Sequence, residues 1–422
     1  MPQAEFNRIS VIGLGYIGLP TAAIFALHGV EVVGVDVNQI AVDTINSGRV
    51  HIIEPDLDEV VQKVVKDGYL RAATIPEPAE AFLIAVPTPF RGENHEPDLS
   101  YVKAAAIAIA PMLAKGNLVI LESTSPVGAT EALAGWLSDE RPDLSFPQTA
   151  GEASDIRVAH CPERVLPGRV MQELITNDRV IGGLTRACAE QAVSLYKTFV
   201  TGDCLIATGA RTAEMAKLAE NSFRDVNIAY ANELSVICEQ LEIDVWELVA
   251  LANRHPRVNI LQPGPGVGGH CIAVDPWFIV ASAPENAKLI KTAREVNDAK
   301  PDWVVRRVMQ VISDWKLAQV NGGRKPRISL YGLAFKPNID DLRESPAVEI
   351  MQSLLAANDC EIFAVEPNLE TDRLGRVELI DLEVSLQTSD IHVLLVDHDE
   401  FRRVTPKLEY LVDTRGIWGE SR

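Results

Sequence analysis

The stretch RISVIGLGYIGLPTAAIFALHG, residues 8–29, decides the fold. An apolar run, RISVI, precedes the glycine motif GLGYIG, and a helix-forming segment follows it. The spacing G-x-G-x-x-G puts Gly13 at a tight turn, Gly15 where backbone can approach a pyrophosphate, and Gly18 where helix meets strand. In this strand–turn–helix context the motif predicts the first βαβ unit of a dinucleotide-binding sheet.

The second apolar run, VEVVGVD, ends at Asp36, about 20 residues after the motif. A carboxylate there can accept hydrogen bonds from a ribose hydroxyl and would repel a 2′-phosphate, which predicts NAD rather than NADP. The alternative is a chance glycine turn beside an ordinary surface aspartate. Two later turns, AVPTP at 85–89 and ESTSPVG at 122–128, also follow apolar runs and place Thr88 and Thr124 as contacts on the nicotinamide side. Turn and helix-cap roles explain these two threonines equally well.

The residues that these motifs assign to the cofactor lie in the first 124 positions. They are Gly13, Gly15, Tyr16, Ile17, Gly18, Asp36, Thr88 and Thr124.

Short apolar runs alternate with helical segments through the first part of the chain. RISVI, VEVVGVD, AFLIAVP and NLVILEST have the rhythm of parallel βαβ units, and runs at 155–163 and 179–183 are expected to complete the sheet. Residues 212–241 contain no glycine or proline and have apolar side chains at helical spacing, which predicts one long helix. Strand patterns return after 326, in RISLYGLAF, CEIFAVEP, IHVLLVD and LEYLVDT.

These patterns predict an α/β protein with two Rossmann-like, doubly wound domains joined by a long central helix and a helical dimerisation domain. The expected boundaries are 1–205 for the NAD-binding domain, 206–320 for the central dimerisation and catalytic domain, and 321–422 for a second, smaller α/β domain. The segment NGGRKP at 321–326 is expected to be a linker.

Composition excludes several classes of partner. With 59 acidic and 39 basic residues among 422, the formal net charge is −20, which disfavours binding to nucleic acid or to an anionic membrane surface. The longest apolar segment is far shorter than the ~20 residues of a membrane span, and the first residues lack the pattern of a secretory signal, so we do not expect secretion. The six cysteines form no CxxC pair, so we expect reduced thiols and a cytoplasmic location.

Candidate chemical residues gather in three segments. Cys271 follows the glycine-rich stretch PGPGVGGH, and Asp275 comes four residues later. Lys217 and Asn221 lie one turn apart on the predicted long helix, and Glu163 occupies the loop CPERVLPG after a strand. A thiol, an amine, an amide and carboxylates are the groups required by a carbonyl-forming reaction followed by thioester chemistry. A buried structural cysteine is the alternative.

The order and spacing of these motifs resemble the UDP-glucose/UDP-N-acetylmannosamine 6-dehydrogenase family over essentially the whole chain. The resemblance is carried by GLGYIGLP, VPTP, ESTSPVG, the PE of CPERVLPG, KLAENSFRDVNIAYANE, GPGVGGHCIAVDP and FKPNIDDLRESPA. Within the family, ERVLPG, NRHPRVNI and HCIAVDPWF are similar to the branch that acts on UDP-N-acetyl-D-mannosamine.

The resemblance implies an NAD-dependent, four-electron oxidation of a sugar C6 alcohol to a carboxylate. It also implies that residues 321–422 form the UDP-sugar-binding domain. Cys271 matches the nucleophile that forms a thiohemiacetal and then a thioester. Lys217 and Asn221 match the residues that handle protons or stabilise an oxyanion, and Asp275 matches a carboxylate that positions water. Glu163 matches a glutamate that assists thioester hydrolysis. The expected product is a uronic acid donor for bacterial surface polysaccharide such as enterobacterial common antigen.

The sequence also departs from the UDP-glucose pattern. Pro167 replaces a second glutamate, His270 replaces the serine before the cysteine, and Val274 replaces the lysine before the aspartate. These departures weaken the expectation of UDP-glucose as substrate. His270 is expected to tune the pocket or the thiol rather than to bind zinc, because a zinc site needs about four ligands and no second His/Cys cluster lies nearby.

A UDP-sugar is an anion, so the acidic chain must meet it with local cations. The resemblance implies that the segment NRHPRVN reaches the site of a neighbouring subunit, so Arg254, His255 or Arg257 would be shared across a homodimer. Arg343 is expected to contact both cofactor and substrate. The residues assigned to the substrate are Arg164, Val165, Lys217, Asn221, Arg224, His255, Arg257, Gly268, Lys336 and Arg343.

Two other functions stay open at this point. The same chemistry could act on UDP-glucose, UDP-N-acetylglucosamine or UDP-N-acetylgalactosamine. A non-catalytic sensor of nucleotide sugars could have kept the fold without turnover, although Lys217, Asn221, Cys271 and Asp275 are all present.

Overall fold

The computed structural model describes residues 6–92, 95–166, 168–269, 271–319, 324–357, 359–406 and 409–419. Contacts divide the chain into two compact units, Met1–Glu220 with Ala281–Ala283, and Asn221–Val280 with Pro284–Arg422. The domain boundaries predicted at 205/206 and 320/321 stay predictions, and the second lies in residues outside the described ranges.

The first unit is built on an eight-stranded sheet with helices packed on it. The strands of this sheet are β1 (Arg8–Ile12), β2 (Glu31–Val35), β3 (Leu70–Ala73), β4 (Ala81–Ile84), β7 (Leu118–Leu121), β8 (Arg157–His160), β9 (Arg179–Gly183) and β10 (Cys204–Ile206). Two short strands, β5 (Phe90–Arg91) and β6 (Glu96–Pro97), pair with each other in a separate ribbon. Its helices are α1 (Gly18–Leu27), α2 (Gln39–Asn46), α3 (Leu57–Lys66), α4 (Ser100–Ile109), α5 (Ala129–Glu140), α6 (Pro147–Ala150), α7 (Val170–Thr176) and α8 (Arg186–Tyr196).

The strand order is β3-β2-β1-β4-β7-β8-β9-β10. The first six strands in this order are parallel, which confirms the βαβ prediction and places a topological switch point between β1 and β4. Strand β9 pairs antiparallel with β8, and β10 pairs parallel with β9. The parallel pairing expected from the sequence therefore ends at β8.

Both faces of this sheet are buried. Ile9 and Val11 of β1 face one apolar cluster and Ile12 faces the other, so the strand reads as an apolar run rather than as an alternation. Within β1 the buried Ser10 donates its hydroxyl to the Val33 carbonyl oxygen of β2, and the polar residues predicted for the cofactor follow the strand ends, where loops begin.

The long helix predicted at 212–241 is α9 (Ala210–Gln240). It is followed by α10 (Val245–Ala252), α11 (Asp275–Ser282), α12 (Lys288–Asp298), α13 (Lys300–Ala318), α14 (Pro346–Ala357) and α15 (Leu382–Thr388). The sheet of the second unit contains β11 (Arg327–Tyr331), β12 (Glu361–Val365), β13 (Arg373–Leu374), β14 (Val377–Leu379), β15 (Ile391–Leu394) and β16 (Leu411–Asp413).

The strand order of this second sheet is β13-β14-β12-β11-β15-β16, and every pair except β13–β14 is parallel. Its first strand again ends in a glycine turn, because Gly332 has a φ of 84° and donates its N–H to Val365. The turn after β1 has the same arrangement, with Gly13 at a φ of 91° bonded to Val35. Two Rossmann-like sheets, as predicted, are present.

A buried ion pair joins α9 to α12 in the second unit. Arg294 Nη1 lies 2.6 Å from Asp225 Oδ1, and the two side chains are 2% and 0% exposed. Asn297 donates a second hydrogen bond to the same carboxylate oxygen at 2.8 Å. Burial raises the pKa of Asp225 even though Arg294 lowers it, which indicates that desolvation of this carboxylate outweighs its pairing.

Asp225→Ala is expected to lower the free energy of unfolding by about 3 kcal/mol, because it removes the buried one of the two carboxylates that pair with the Arg294 guanidinium and leaves only the half-exposed Asp298. Glu295→Ala, which breaks the exposed Lys291–Glu295 pair on α12, should cost only ~0.3–0.5 kcal/mol. Urea denaturation measures both. Asp225→Leu combined with Arg294→Met should recover most of the loss, and a loss no greater for Asp225→Ala than for the control would contradict this account.

Candidate active site

The glycine turn after β1 is closed by backbone contacts. A Cβ at Gly13 would lie 2.6 Å from the Ala85 carbonyl oxygen, and a Cβ at Gly18 would lie 1.8 Å from the Gly13 carbonyl oxygen. Both glycines are thus required by the turn itself. A Cβ at Gly15 would meet no protein atom within 4 Å, so the backbone there faces open space.

Asp36 lies directly after β2 and is fixed beside this turn. Its Oδ2 accepts the Leu14 N–H at 2.9 Å and its Oδ1 accepts the Asn38 N–H at 2.9 Å. The half-buried carboxylate keeps acceptor capacity for a ribose hydroxyl. The open backbone at Gly15, the start of α1 at Gly18 and this acidic side chain together fit a dinucleotide with an unphosphorylated ribose. Tyr16 and Ile17 are half-buried within the same turn.

Thr88 and Thr124 lie together beyond the ends of β4 and β7. Thr88 Oγ1 donates to the Thr124 carbonyl oxygen at 2.6 Å, and Ser123 Oγ donates to the Val86 carbonyl oxygen at 2.6 Å. Because neighbouring parallel strands end at the same edge of a sheet, these loops lie at the edge where ligands bind. The structure thus brings together two threonines that the sequence analysis selected independently.

Glu163 lies in the loop after β8 and is buried, at 7% exposure. Its Oε2 is 2.9 Å from Nη1 of Arg179, the first residue of β9, and its Oε1 accepts the Arg164 N–H at 2.5 Å. This carboxylate is therefore held in one orientation by a buried guanidinium. Pro167, the departure from the family pattern in this loop, lies outside the described residues.

Arg164 and Val165 are both half-buried in that loop. The Arg164 guanidinium pairs with Glu220, with Nη2 2.8 Å from Oε1, and its Nη1 donates to the Asp178 carbonyl oxygen at 3.2 Å. Arg164 therefore already has an anionic partner, and contact with a substrate anion would require it to exchange or share that partner.

Cys271 and Asp275 belong to one turn that leads into α11. The N–H groups of Val274 and Asp275 donate to the Cys271 carbonyl oxygen at 3.1 and 2.9 Å. The Cys271 side chain is exposed, whereas Asp275 is buried and accepts a hydrogen bond from Asn221 Nδ2 at 2.5 Å. The structure therefore joins three of the five predicted catalytic residues. His270 lies outside the described residues.

Lys217 is half-buried on α9, one helical turn before Asn221. Residues four apart lie on the same face of a helix, so the amine and the amide project to the same side. The long helix thus supplies both groups with the spacing that the sequence predicted.

The glycines of the stretch 263–269 pack against the segment 335–346 in the second unit. A Cβ at Gly268 would lie 2.3 Å from the Glu344 carbonyl oxygen, and a Cβ at Gly269 would lie 2.9 Å from the Phe335 ring. Close backbone packing between these two motifs therefore requires glycine at both positions, whatever ligand they meet. This packing sets the position of the turn that carries Cys271.

The remaining basic residues predicted for the substrate belong to the second unit. Arg224, His255 and Arg257 are exposed, and Lys336 is half-buried. Arg343 is exposed and pairs with Asp341, with Nη2 2.6 Å from Oδ2. His255 and Arg257 lie close to each other, because the Arg257 N–H donates to His255 Nδ1 at 3.3 Å.

The sequence analysis did not single out a buried polar cluster beside Glu163. Tyr196, at the end of α8, donates its hydroxyl to Glu122 Oε1 at 2.7 Å, and the Arg179 guanidinium lies 5.0 Å from the Tyr196 ring centre. Burial raises the pKa of Glu122 to about 7. The sequence signal for this cluster was a charged residue next to each apolar run, Glu122 after LVIL and Arg179 before VIGG, since buried charges require partners.

The described residues lack two further features. In those parts of the chain, no group of three or more His, Cys, Asp and Glu side chains could hold a metal ion. No helix there is both long and apolar enough to cross a membrane.

Three family models match the chain in sequence order. The UDP-glucose/GDP-mannose dehydrogenase family matches with its NAD binding domain over residues 7–200, its central domain over 211–299 and its UDP binding domain over 329–420.

Individual relatives match along nearly the whole chain. NDP-N-acetyl-D-galactosaminuronic acid dehydrogenase of Ralstonia nicotianae is 61% identical over 99% of this chain and 98% of its own. UDP-N-acetyl-D-mannosamine dehydrogenase of Salmonella typhi is 61% identical over 98% of this chain and 100% of its own. The solved structure of UDP-D-ManNAc dehydrogenase from Pyrococcus horikoshii is similar with a TM-score of 0.86 and 38% identity, covering 98% of this chain and 96% of that one. The chain therefore belongs to the UDP-glucose/GDP-mannose dehydrogenase family and is an NAD-dependent oxidoreductase.

Proposed function

We propose that this enzyme oxidises UDP-N-acetyl-D-mannosamine at C6 to UDP-N-acetyl-D-mannosaminuronate, with two NAD⁺ reduced per sugar. The name of the Salmonella typhi relative and the motifs ERVLPG, NRHPRVNI and HCIAVDPWF support this sugar. The Ralstonia relative is equally identical and has a name with a different N-acetylated sugar. Sequence identity therefore favours an N-acetylated sugar without choosing its stereochemistry.

The observation that carries the proposal is the turn with an exposed thiol at one end and a buried, hydrogen-bonded carboxylate at the other. Cys271 is exposed, and Asp275, four residues later, is held by Asn221. A simple alcohol dehydrogenase needs no nucleophile. An enzyme that continues past the aldehyde gains from a thiol, because a thiohemiacetal keeps a C–H bond that can lose hydride.

Cys271 is proposed to attack the C6 aldehyde formed in the first oxidation. The S–C6 bond forms and the carbonyl oxygen takes a proton, which gives the thiohemiacetal. Loss of hydride from C6 and of the hydroxyl proton then gives a thioester on Cys271. Lys217 and Asn221 are proposed to donate hydrogen bonds to the developing oxyanion at each addition step.

Hydrolysis releases the acid. Water adds to the thioester carbonyl, Glu163 accepts a proton from that water, and the C–S bond breaks with the thiolate as leaving group. Asp275, fixed by Asn221, is proposed to orient the water. NAD⁺, when bound, accepts hydride in both oxidations, and Gly13, Gly15, Gly18 and Asp36 are proposed to hold it.

The diphosphate is proposed to be met by Arg224, His255, Arg257, Lys336 and Arg343, with Arg164, Val165 and Gly268 near the sugar. A second copy of the chain is proposed to supply His255 and Arg257. In support, Phe223, Tyr230 and Ile237 recur every seven residues along α9 and are 69%, 52% and 43% exposed. An apolar stripe of this spacing suits helix-to-helix packing between two copies.

The proposal includes domain boundaries at 205/206 and 320/321 and a cytoplasmic location. It also includes a role in supplying a uronic acid for bacterial surface polysaccharide such as enterobacterial common antigen. The cytoplasmic location follows from the proposed mechanism, because a cysteine nucleophile must stay reduced and the cytoplasm keeps thiols reduced.

The substrate is tested by kinetics on four sugars: UDP-N-acetyl-D-mannosamine, UDP-N-acetylgalactosamine, UDP-N-acetylglucosamine and UDP-glucose. We expect the highest kcat/KM with the first, by roughly tenfold or more, and two NADH per sugar consumed. One NADH per sugar would contradict the four-electron reaction. A higher kcat/KM with UDP-N-acetylgalactosamine would reassign the sugar, and tight NAD⁺ binding without turnover on any of the four would favour the sensor.

Cys271→Ser is expected to stop the reaction at the aldehyde level, because a hydroxyl is a much weaker nucleophile than a thiolate near neutral pH. Mass spectrometry of the sugar nucleotide after a single turnover distinguishes aldehyde from acid. Cys204→Ser, at a half-buried thiol in β10, serves as the matched control and should still give two NADH per sugar. Unchanged acid formation by Cys271→Ser would remove the nucleophile assignment.

Asp36→Asn is expected to lower kcat/KM for NAD⁺ by about 10- to 100-fold, since a hydrogen bond to a charged acceptor contributes about 1.5–3 kcal/mol. The same change should improve the ratio of NADP⁺ to NAD⁺ use, because the repulsion of a 2′-phosphate is removed. Initial rates with both cofactors measure this. Asp43→Asn, on the exposed side of α2, is the control, and equal NAD⁺ kinetics for the two variants would exclude the ribose contact.

A further inference from the structure

The buried cluster beside Glu163 holds two carboxylates and one guanidinium. Arg179 is 2% exposed and its Nη1 is 2.9 Å from Glu163 Oε2, while Nη2 donates to the Leu174 carbonyl oxygen at 3.2 Å. Glu122 is 1% exposed and faces the same guanidinium. One positive charge is therefore shared by two buried acids.

Only one of the two carboxylate oxygens of Glu122 has a hydrogen-bond partner among the described residues. Its Oε1 accepts the Tyr196 hydroxyl at 2.7 Å, but its Oε2 is buried with no hydrogen-bond partner among the described residues. An ionised carboxylate would leave that oxygen without a donor, which disfavours the charged form. Burial accordingly raises the pKa of Glu122 to about 7, against the opposing effects of Arg179 and Tyr196.

The other groups that face Glu122 keep one charge state near neutral pH. Burial raises the pKa of the Cys161 thiol to about 12 and raises the pKa of Tyr196 well above its usual value, so both stay protonated. His160, at the end of β8, stays neutral because burial lowers its pKa to about 3. Arg179 remains a cation. Glu163 completes the set as the ion-pair partner of Arg179.

We propose that Glu122 is a positioning residue for thioester hydrolysis, acting on Glu163 through the Arg179 that both carboxylates share. When Glu122 is neutral, the Arg179 guanidinium holds Glu163 as its single anionic partner in the cluster. When Glu122 is ionised, two carboxylates compete for one guanidinium, which loosens the pair between Arg179 and Glu163 Oε2. Glu163 then accepts the proton of the attacking water more readily. This inference rests on the proposed role of Glu163 in hydrolysis.

The test is the pH profile of thioester hydrolysis from pH 6 to 8.5, measured on the full chain with UDP-N-acetyl-D-mannosamine and NAD⁺. Acid-quenched single turnovers, with the adduct on Cys271 followed by mass spectrometry, isolate this step from the two oxidations. In the wild-type enzyme the rate of thioester hydrolysis should rise with pH, and the midpoint of the rise should lie near the pH at which Glu122 ionises. Glu122→Gln has the shape of the neutral acid, so it should fold, match wild type at pH 6, and be about tenfold slower at pH 8 with no rise.

Tyr196→Phe gives an independent readout. Its hydroxyl stabilises ionised Glu122, so its removal should move the rise to higher pH while the plateau rate is kept. A merely structural effect would change the rate at every pH without moving the rise. Glu190→Gln, an exposed change on the same helix, should leave the profile as in wild type.

The outcomes separate the two proposals. If Glu163→Gln slows hydrolysis but Glu122→Gln keeps the wild-type rise, or Tyr196→Phe leaves the rise in place, the inference is overturned and the role of Glu163 stands. If Glu163→Gln hydrolyses the thioester at the wild-type rate, the proposed role of Glu163 and the inference fall together. Loss of the rise in Glu122→Gln together with its displacement in Tyr196→Phe supports the inference.

Discussion

Burial of both faces of a parallel sheet is the constraint on which the first unit depends. The strands β4 and β7 are wholly apolar and β1 is apolar except for Arg8 and the buried Ser10, because apolar clusters cover both faces of the sheet, so side chains that must reach a ligand lie outside the strands. Such side chains lie just past the carboxyl ends of the strands, and parallel pairing brings those ends to one edge. Asp36, Thr88, Thr124 and Glu163 are all placed in this way.

The same constraint explains why a buried ionisable cluster exists beside that edge. Glu122 directly follows β7 and Arg179 begins β9, which runs antiparallel to β8, so a strand end and a strand start meet. Charges at this depth are stable only in partnership, and one guanidinium serves two carboxylates. The result is a carboxyl group whose pKa of about 7 lies within the range of ordinary assay conditions.

In the second unit the position of the chemical residues depends on close backbone contact rather than on a sheet edge. Gly268 and Gly269 allow the stretch before Cys271 to lie against the segment 335–346, and Asn221 on α9 holds Asp275 at the start of α11. The sequence assigned Gly268 to the substrate, and the structure shows that protein packing also requires glycine at 268 and 269. A side chain at either glycine would displace the turn that carries the thiol.

The sequence by itself determined the apolar runs of β1, β2, β4, β7, β8, β11, β12, β15 and β16, the helix α9, and the glycine turn with Asp36, because these depend on local pattern and spacing. It did not predict β3 or β10, since LRAA and CLI are too short to stand out from their surroundings. It predicted a strand at 179–183 but not that this strand, β9, runs antiparallel to β8, and it did not predict the Arg179 cluster. Only the tertiary structure decided these, because a strand's direction and a buried charge's partner depend on residues distant in the chain, such as Glu122, Glu163 and Tyr196.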